Sequence, residues 1–163
     1  MPGAAQKRPC LFIYGTLMIG SGNVMARRLA RESRPVGPGT APGRLYDLGA
    51  YPGAVEAEGA GACIHGQVVR LNHAGRSLSW LDAYEGCGES DTEPHAYHRV
   101  LAAVRLATGD RVDAWMYFYR GALGGARLIR SGRYFMPRRY NTCALKDWDA
   151  APLKTLNHLS YTY

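Results

Sequence analysis

The clearest periodicity in the chain lies between residues 98 and 120, where apolar and polar side chains alternate on both sides of a short polar interruption. Val100, Ala102, Val104 and Leu106 fall on one face of the first run, and Val112, Ala114, Met116 and Phe118 on one face of the second. A period of two is that of a strand with one buried face. Thr108-Gly109-Asp110 between them is read as the turn of an antiparallel hairpin. CLFIY at 10–14 is an unbroken apolar run stopped by Gly15 and Thr16, the pattern of a strand buried on both faces. HGQVVRL at 65–71 reads as a further strand and RLYDL at 44–48 as a short strand-like piece. Gly, Pro and Ala dominate 35–62, where Pro42-Gly43 and Pro52-Gly53 read as turns.

Two stretches carry helical spacing instead. Met25 and Leu29 share a face of VMARRLARES, 24–33, which Ser21 or Asn23 can cap. The arginines at 27, 28, 31 and 34 then fall on its solvent side or at its end. Leu78 and Leu81 share a face of SLSWLDAYE, 77–85, with Ser77 as the expected cap and Gly86 at the position just past the end. Strands outnumber helices, and the helices are short. The expected class is α+β: a small mixed, mostly antiparallel sheet curled toward a barrel, with a few short helices outside it.

Composition adds constraints rather than a function. The chain has 163 residues, 47% of them hydrophobic, enough for one domain with a real core. No apolar stretch has the length of a membrane span, and MPGAAQKRPC lacks the apolar run of a secretory signal, so a cytoplasmic protein is expected. Cysteines at 10, 63, 87 and 143 form no C-x-x-C pair and are read as free thiols. The net charge is +7, mostly from arginine, with seven basic residues against two acidic ones in 127–163. Charge without an accompanying recognition motif argues against a nucleic-acid partner. No sequence signal fixes the number of subunits.

Two local patterns can carry chemistry. Tyr14-Gly15-Thr16-Leu17 ends a strand and leads into a glycine-rich loop and helix, where successive backbone N–H groups can face an anion. It is neither a Walker loop nor G-x-G-x-x-G, and from this tetrapeptide alone a tight turn without a ligand is the favoured account. Asp82 and Glu85, three apart, occupy neighbouring positions of the second helix. Glu85 falls in its last turn, where the negative end of the helix dipole disfavours a carboxylate and raises its pKa. A solvated, exposed glutamate is the plain alternative. His95 and His98, with Cys87, Glu89, Asp91 and Glu93 near them, lack any metal-site spacing and are read as loop residues. Gly20-Ser21-Gly22 is no nucleophile elbow, and Gly121–Gly125 reads as a loop.

In order, these pieces resemble the gamma-glutamylcyclotransferase-like family, which includes gamma-glutamylamine cyclotransferases and plant avirulence-induced relatives. The resemblance rests on the first strand with Tyr14-Gly15-Thr16-Leu17, then Tyr51-Pro52-Gly53, then Leu81-Asp82-x-Tyr84-Glu85-Gly86, then Tyr97-x-Arg99 entering the hairpin. It implies a domain over 8–134, followed by a basic C-terminal extension, 135–163. It also implies the release of 5-oxoproline from a gamma-glutamyl amine or small peptide, with no metal or cofactor. On that pattern Glu85 is the catalytic carboxylate, and Tyr14, Gly15, Thr16 and Leu17 form the substrate-binding loop. Tyr97, Arg99 and Tyr117 line or support the pocket. Ten residues, CGESDTEPHA, separate Gly86 from Tyr97 and are an expected lid. The competing reading is a non-catalytic binding module of the same fold for an anionic metabolite or nucleic acid.

Overall fold

In the computed structural model, which describes residues 9–57 and 61–135, the first apolar run becomes β1, Cys10–Ile13, and all four of its residues are buried. After a loop comes α1, Val24–Glu32, capped by Asn23, whose side chain accepts from the N–H groups of Met25 and Ala26. Then follow β2 (Ser33–Pro42), β3 (Arg44–Asp47), β4 (Pro52–Val55) and β5 (Cys63–Leu71). The second helix is α2, Ala74–Tyr84, followed by the hairpin β6 (Tyr97–Leu106) and β7 (Arg111–Tyr119) and a short β8 (Arg127–Leu128). The hairpin register is the one its alternation demands, pairing Val100 with Met116, Ala102 with Ala114 and Val104 with Val112.

Five strands close into a barrel in the order β1-β5-β2-β6-β7, antiparallel except where β1 meets β7 in parallel. β4, β3 and β8 form a separate three-stranded sheet. The pleat sorts side chains into two cores. Phe12, Val68, Val104, Ala114, Met116 and Phe118 pack together in one cluster, with Tyr14 among them. Leu11, Ile13, Val69, Leu71, Tyr97 and Tyr117 face the other way and pack with Leu17, Leu29 and Leu81 in the second. The helices are thus held on one outer flank of the barrel.

Three details differ from the sequence reading. The Gly- and Pro-rich segment holds a ten-residue strand, β2, pairing along β5 from Ser33 to Pro42 with a register shift between Pro35 and Gly37. It pairs with β6 only at Gly39 and Thr40, so much of one edge carries no ladder, and such an edge tolerates proline. Pro52-Gly53 opens β4 rather than a turn. Ser77 does not cap α2. The helix starts at Ala74, and Ser77 is fully buried, donating to Glu32 Oε2 at 2.8 Å.

That bond belongs to the clamp between the helices. Trp80 Nε1 also donates to Glu32 Oε2, at 2.9 Å, and Arg28 Nε to Oε1 at 3.1 Å. Burial pushes the Glu32 carboxyl up, but the hydrogen bonds from Trp80, Ser77 and Arg28 outweigh it and hold it at about 2. Among the described residues no helix is long and apolar enough to cross a membrane. The basic extension expected at 135–163 lies, apart from Phe135, outside the described residues.

Candidate active site

The rotation of α2 decides where Glu85 points. Leu81 is fully buried against the barrel flank, and a side chain four residues on lies over the same helical face. Glu85 is the C-cap, with its N–H on the Leu81 carbonyl at 2.9 Å. Gly86 follows at φ 71°, the left-handed conformation that ends a helix, so the carboxylate stays on the inward side of the last turn. Glu85 is partly exposed, not free on the surface. Burial first, and the Asp82 charge second, push its carboxyl up to about 7. No hydrogen bond from a described residue reaches that carboxylate.

Around it stand three buried tyrosines from distant parts of the chain. Tyr14, at the end of β1, donates to the Tyr117 carbonyl at 2.8 Å and accepts from the Ala54 N–H at 3.3 Å. Tyr97 donates to the Pro52 carbonyl at 3.1 Å, and Tyr117 to Asp82 Oδ1 at 2.6 Å. Burial raises the pKa of all three hydroxyls, and the Glu85 charge raises each further, so they stay neutral at ordinary pH. Their protons are already given to other acceptors. What they turn toward Glu85 is a neutral aromatic wall rather than a set of free acids.

Asp82 is held from two sides, by Tyr117 and by Arg99, whose Nη1 lies 3.1 Å from Asp82 Oδ2. The Arg99 guanidinium also lies 5.0 Å from the centre of the Trp115 ring. Its charge is therefore spent on Asp82 and Trp115. Cys87, just past the helix, has its thiol pushed up to about 12, by burial first and by the Asp82 and Glu85 charges next.

The loop after β1 completes the site. Met18 N–H closes a turn on the Gly15 carbonyl at 3.0 Å, leaving the N–H groups of Thr16 and Leu17 without a described acceptor. Gly15 packs on Pro52 so closely that a Cβ there would come within 2.8 Å of Pro52 Cγ. Thr16 hydrogen-bonds Tyr84, while the Leu17 side chain is buried in the helix-side core. Of the sequence-predicted residues, Tyr14, Tyr97 and Tyr117 converge electrostatically on Glu85, Thr16 reaches it through Tyr84, and Gly15 and Leu17 shape the loop. His95 and His98 part company: His95 Nε2 lies 3.3 Å from the Asp91 carbonyl, and His98, on β6, pairs with Glu56 at 3.0 Å.

Two contributors escaped the sequence reading. Gln67 grips the loop, taking the Ile19 N–H on Oε1 at 2.9 Å and giving Nε2 to the Ile19 carbonyl at 3.4 Å. An amide next to Val68-Val69 within the expected 65–71 strand was the available signal. Tyr119 stacks edge-on against Tyr97 at 5.2 Å between ring centres, and nothing in its strand pattern marks it out.

The sequence profile described as gamma-glutamyl cyclotransferase, AIG2-like, matches residues 11–136. The gamma-glutamylcyclotransferase family protein YtfP of Escherichia coli K12 is 32% identical over 123 residues, covering 75% of this chain and 92% of that protein. Its counterpart in Citrobacter rodentium is 32% identical over 132 residues, covering 80% and 98%. The solution structure of the Escherichia coli protein superposes with a TM-score of 0.54 at 31% identity, covering 77% of this chain and 96% of that one. An AIG2-like protein from Mus musculus shares the fold, with a TM-score of 0.60 at 22% identity, over 80% of this chain and 96% of the other.

Proposed function

The chain belongs to the gamma-glutamyl cyclotransferase, AIG2-like family, and on that premise we propose that it converts a gamma-glutamyl amine or small gamma-glutamyl peptide to 5-oxoproline and the free amine, with Glu85 as general acid/base. The substrate's α-amine nitrogen attacks its own γ-carbonyl carbon, closing a five-membered lactam. Glu85 takes the proton this nitrogen loses and gives it to the leaving nitrogen as the old C–N bond breaks. A carboxyl near 7 is poised for both transfers at neutral pH, and its lone pairs, which take no hydrogen bond from a described residue, are open to the incoming amine.

The N–H groups of Thr16 and Leu17, which have no acceptor among the described residues, suit the substrate's α-carboxylate. Held there, the glutamyl chain bends so that amine and carbonyl meet, which raises their effective concentration rather than adding a chemical step. The neutral hydroxyls of Tyr14, Tyr97 and Tyr117 add no charge of their own beside Glu85.

The single observation that carries this reading is the inward-facing Glu85 carboxyl, raised to about 7 and given no hydrogen bond by any described residue. The experiment is 5-oxoproline release from a panel of gamma-glutamyl amines and peptides, with Glu85→Gln as control. Release by the wild-type protein and none above background by the folded variant is the expected result. Equal release by both overturns the role of Glu85, and release by neither overturns the reaction.

A further inference from the structure

The serine of Gly20-Ser21-Gly22 is no nucleophile elbow, and it does not cap α1 either, because Asn23 takes that place. Its hydroxyl is used elsewhere. Ser21 Oγ donates to the Thr16 carbonyl at 2.8 Å, five residues back, and accepts from the Asn23 N–H at 3.3 Å. The chain returns on itself through two linked turns. Met18 N–H closes on the Gly15 carbonyl and Ser21 N–H on the Met18 carbonyl, both at 3.0 Å. Gly20 and Gly22, at φ 93° and 83°, supply the left-handed residues that this return uses on either side of Ser21.

A trans peptide is planar, with its C=O and the following N–H pointing in opposite directions. The Gly15 and Thr16 carbonyls therefore fix the directions of the Thr16 and Leu17 N–H groups, which have no acceptor among the described residues. Met18 N–H holds the first of these planes and the Ser21 hydroxyl the second. Gln67 grips the same loop, but its two bonds fall on the N–H and carbonyl of Ile19, in peptides that carry neither donor. Thr16 also hydrogen-bonds Tyr84, and the Glu85 charge acts on the Tyr84 hydroxyl, so these planes lie in the neighbourhood of the candidate carboxylate.

We propose that Ser21 is a positioning residue for the substrate's α-carboxylate, its hydroxyl holding the 16–17 peptide so that the Leu17 N–H stays presented to that anion, an inference that rests on the cyclotransferase reading above. The hydroxyl is engaged by the chain as donor and as acceptor, so Ser21 acts through Leu17 rather than on the substrate. Without it the Thr16 carbonyl turns to water and the 16–17 peptide is free to rotate. The ordering that the serine supplies in advance then falls on the bound substrate. One neutral hydrogen bond is of a size to change affinity about tenfold.

Binding to the Glu85→Gln protein tests this without depending on turnover. The probes are gamma-glutamyl methylamide and 4-aminobutyryl methylamide, the same molecule without its α-carboxylate. Saturating gamma-glutamyl methylamide is expected to move the Leu17 amide proton downfield in NMR spectra, and the same concentration of the second amide to leave it in place. Ser21→Ala and, separately, Ser21→Cys, whose thiol is a weak donor, are each added to Glu85→Gln. Both are expected to weaken calorimetric binding of gamma-glutamyl methylamide about tenfold and to diminish the Leu17 shift, while Ser21→Thr keeps both. A Leu17 proton that stays in place, that moves equally with both amides, or that moves undiminished in a folded alanine or cysteine variant overturns the inference. So does a threonine variant that binds as weakly as the alanine one. A wild-type protein that releases no 5-oxoproline refutes the reaction instead, and the Leu17 shift still decides whether Ser21 orients the anion site.

Discussion

Glu85→Gln is expected to stabilise the protein at alkaline pH and not at acid pH. Burial and the Asp82 charge move the Glu85 carboxyl from the ordinary 4.5 to about 7 in the folded chain. The folded state thus holds this proton more tightly than the unfolded state. Stability attached to this group is fully present below about 4.5, declines as pH rises, and is lost once pH passes about 7. At ~1.4 kcal/mol per pH unit the whole loss is about 3 kcal/mol. Glutamine carries no such penalty. Its amide, however, sits where no described residue donates to the carboxylate, and an unpaired amide costs about 1–3 kcal/mol of its own.

That cost does not vary with pH, so the informative quantity is the difference between two differences. Thermal melts of both proteins at pH 4 and pH 8 give it, because the remaining titrating groups are common to both. For a chain of this size ~1 kcal/mol corresponds to about 2–4 °C in Tm. The variant's Tm relative to wild type should therefore rise by about 6–12 °C between pH 4 and pH 8. An unchanged offset at the two pH values would mean that Glu85 is solvated with an ordinary pKa. A base poised near neutrality would then be refuted, whatever the activity of the variant.

Asp82→Asn removes the second cause of the raised Glu85 pKa, so the acid limb of the kcat/KM–pH profile should move from about 7 to lower pH. A limb that stays in place refutes the coupling between the two carboxylates. Glu32→Ala leaves the buried Ser77 hydroxyl and the Trp80 indole N–H without their acceptor, and should cost about 1–3 kcal/mol in urea unfolding. In the wild-type protein the ionisation-linked part of the Glu32 contribution is present above about pH 4.5 and is lost as pH falls through about 2, so the stability gap between the two proteins should narrow at strongly acid pH.

Signals confined to one segment were legible in the sequence. The alternation of Val100 to Leu106 against Val112 to Phe118 marked the hairpin, and of the two cap candidates Ser21 and Asn23 the structure uses Asn23, with Gly86 ending the second helix, because each signal acts over a few residues. β2 was hidden because glycine and proline normally signal turns, and only a neighbour on a single side made ten such residues a strand. Ser77 misled for a related reason. Its hydroxyl satisfies a carboxylate 45 residues away rather than its own helix end. The candidate site is almost wholly of this long-range kind.

Helical spacing placed Glu85 beside Asp82, yet spacing alone left a solvated surface carboxylate as the plain alternative. What sets it apart is that Leu81, on the same face, is buried against the barrel flank, so that the last turn of α2 brings Glu85 to tyrosines from β1, β6 and β7. Each of those tyrosines is itself fixed by a partner 35 to 103 residues distant: Tyr117 by Asp82, Tyr97 by Pro52, Tyr14 by Tyr117. Such bonds leave no period in the sequence. They also explain why the Glu85 pKa stays raised. The hydroxyls that would otherwise donate to Glu85 and restore an ordinary pKa are committed elsewhere by the barrel, so the strain on Glu85 is maintained by the same contacts that close the fold.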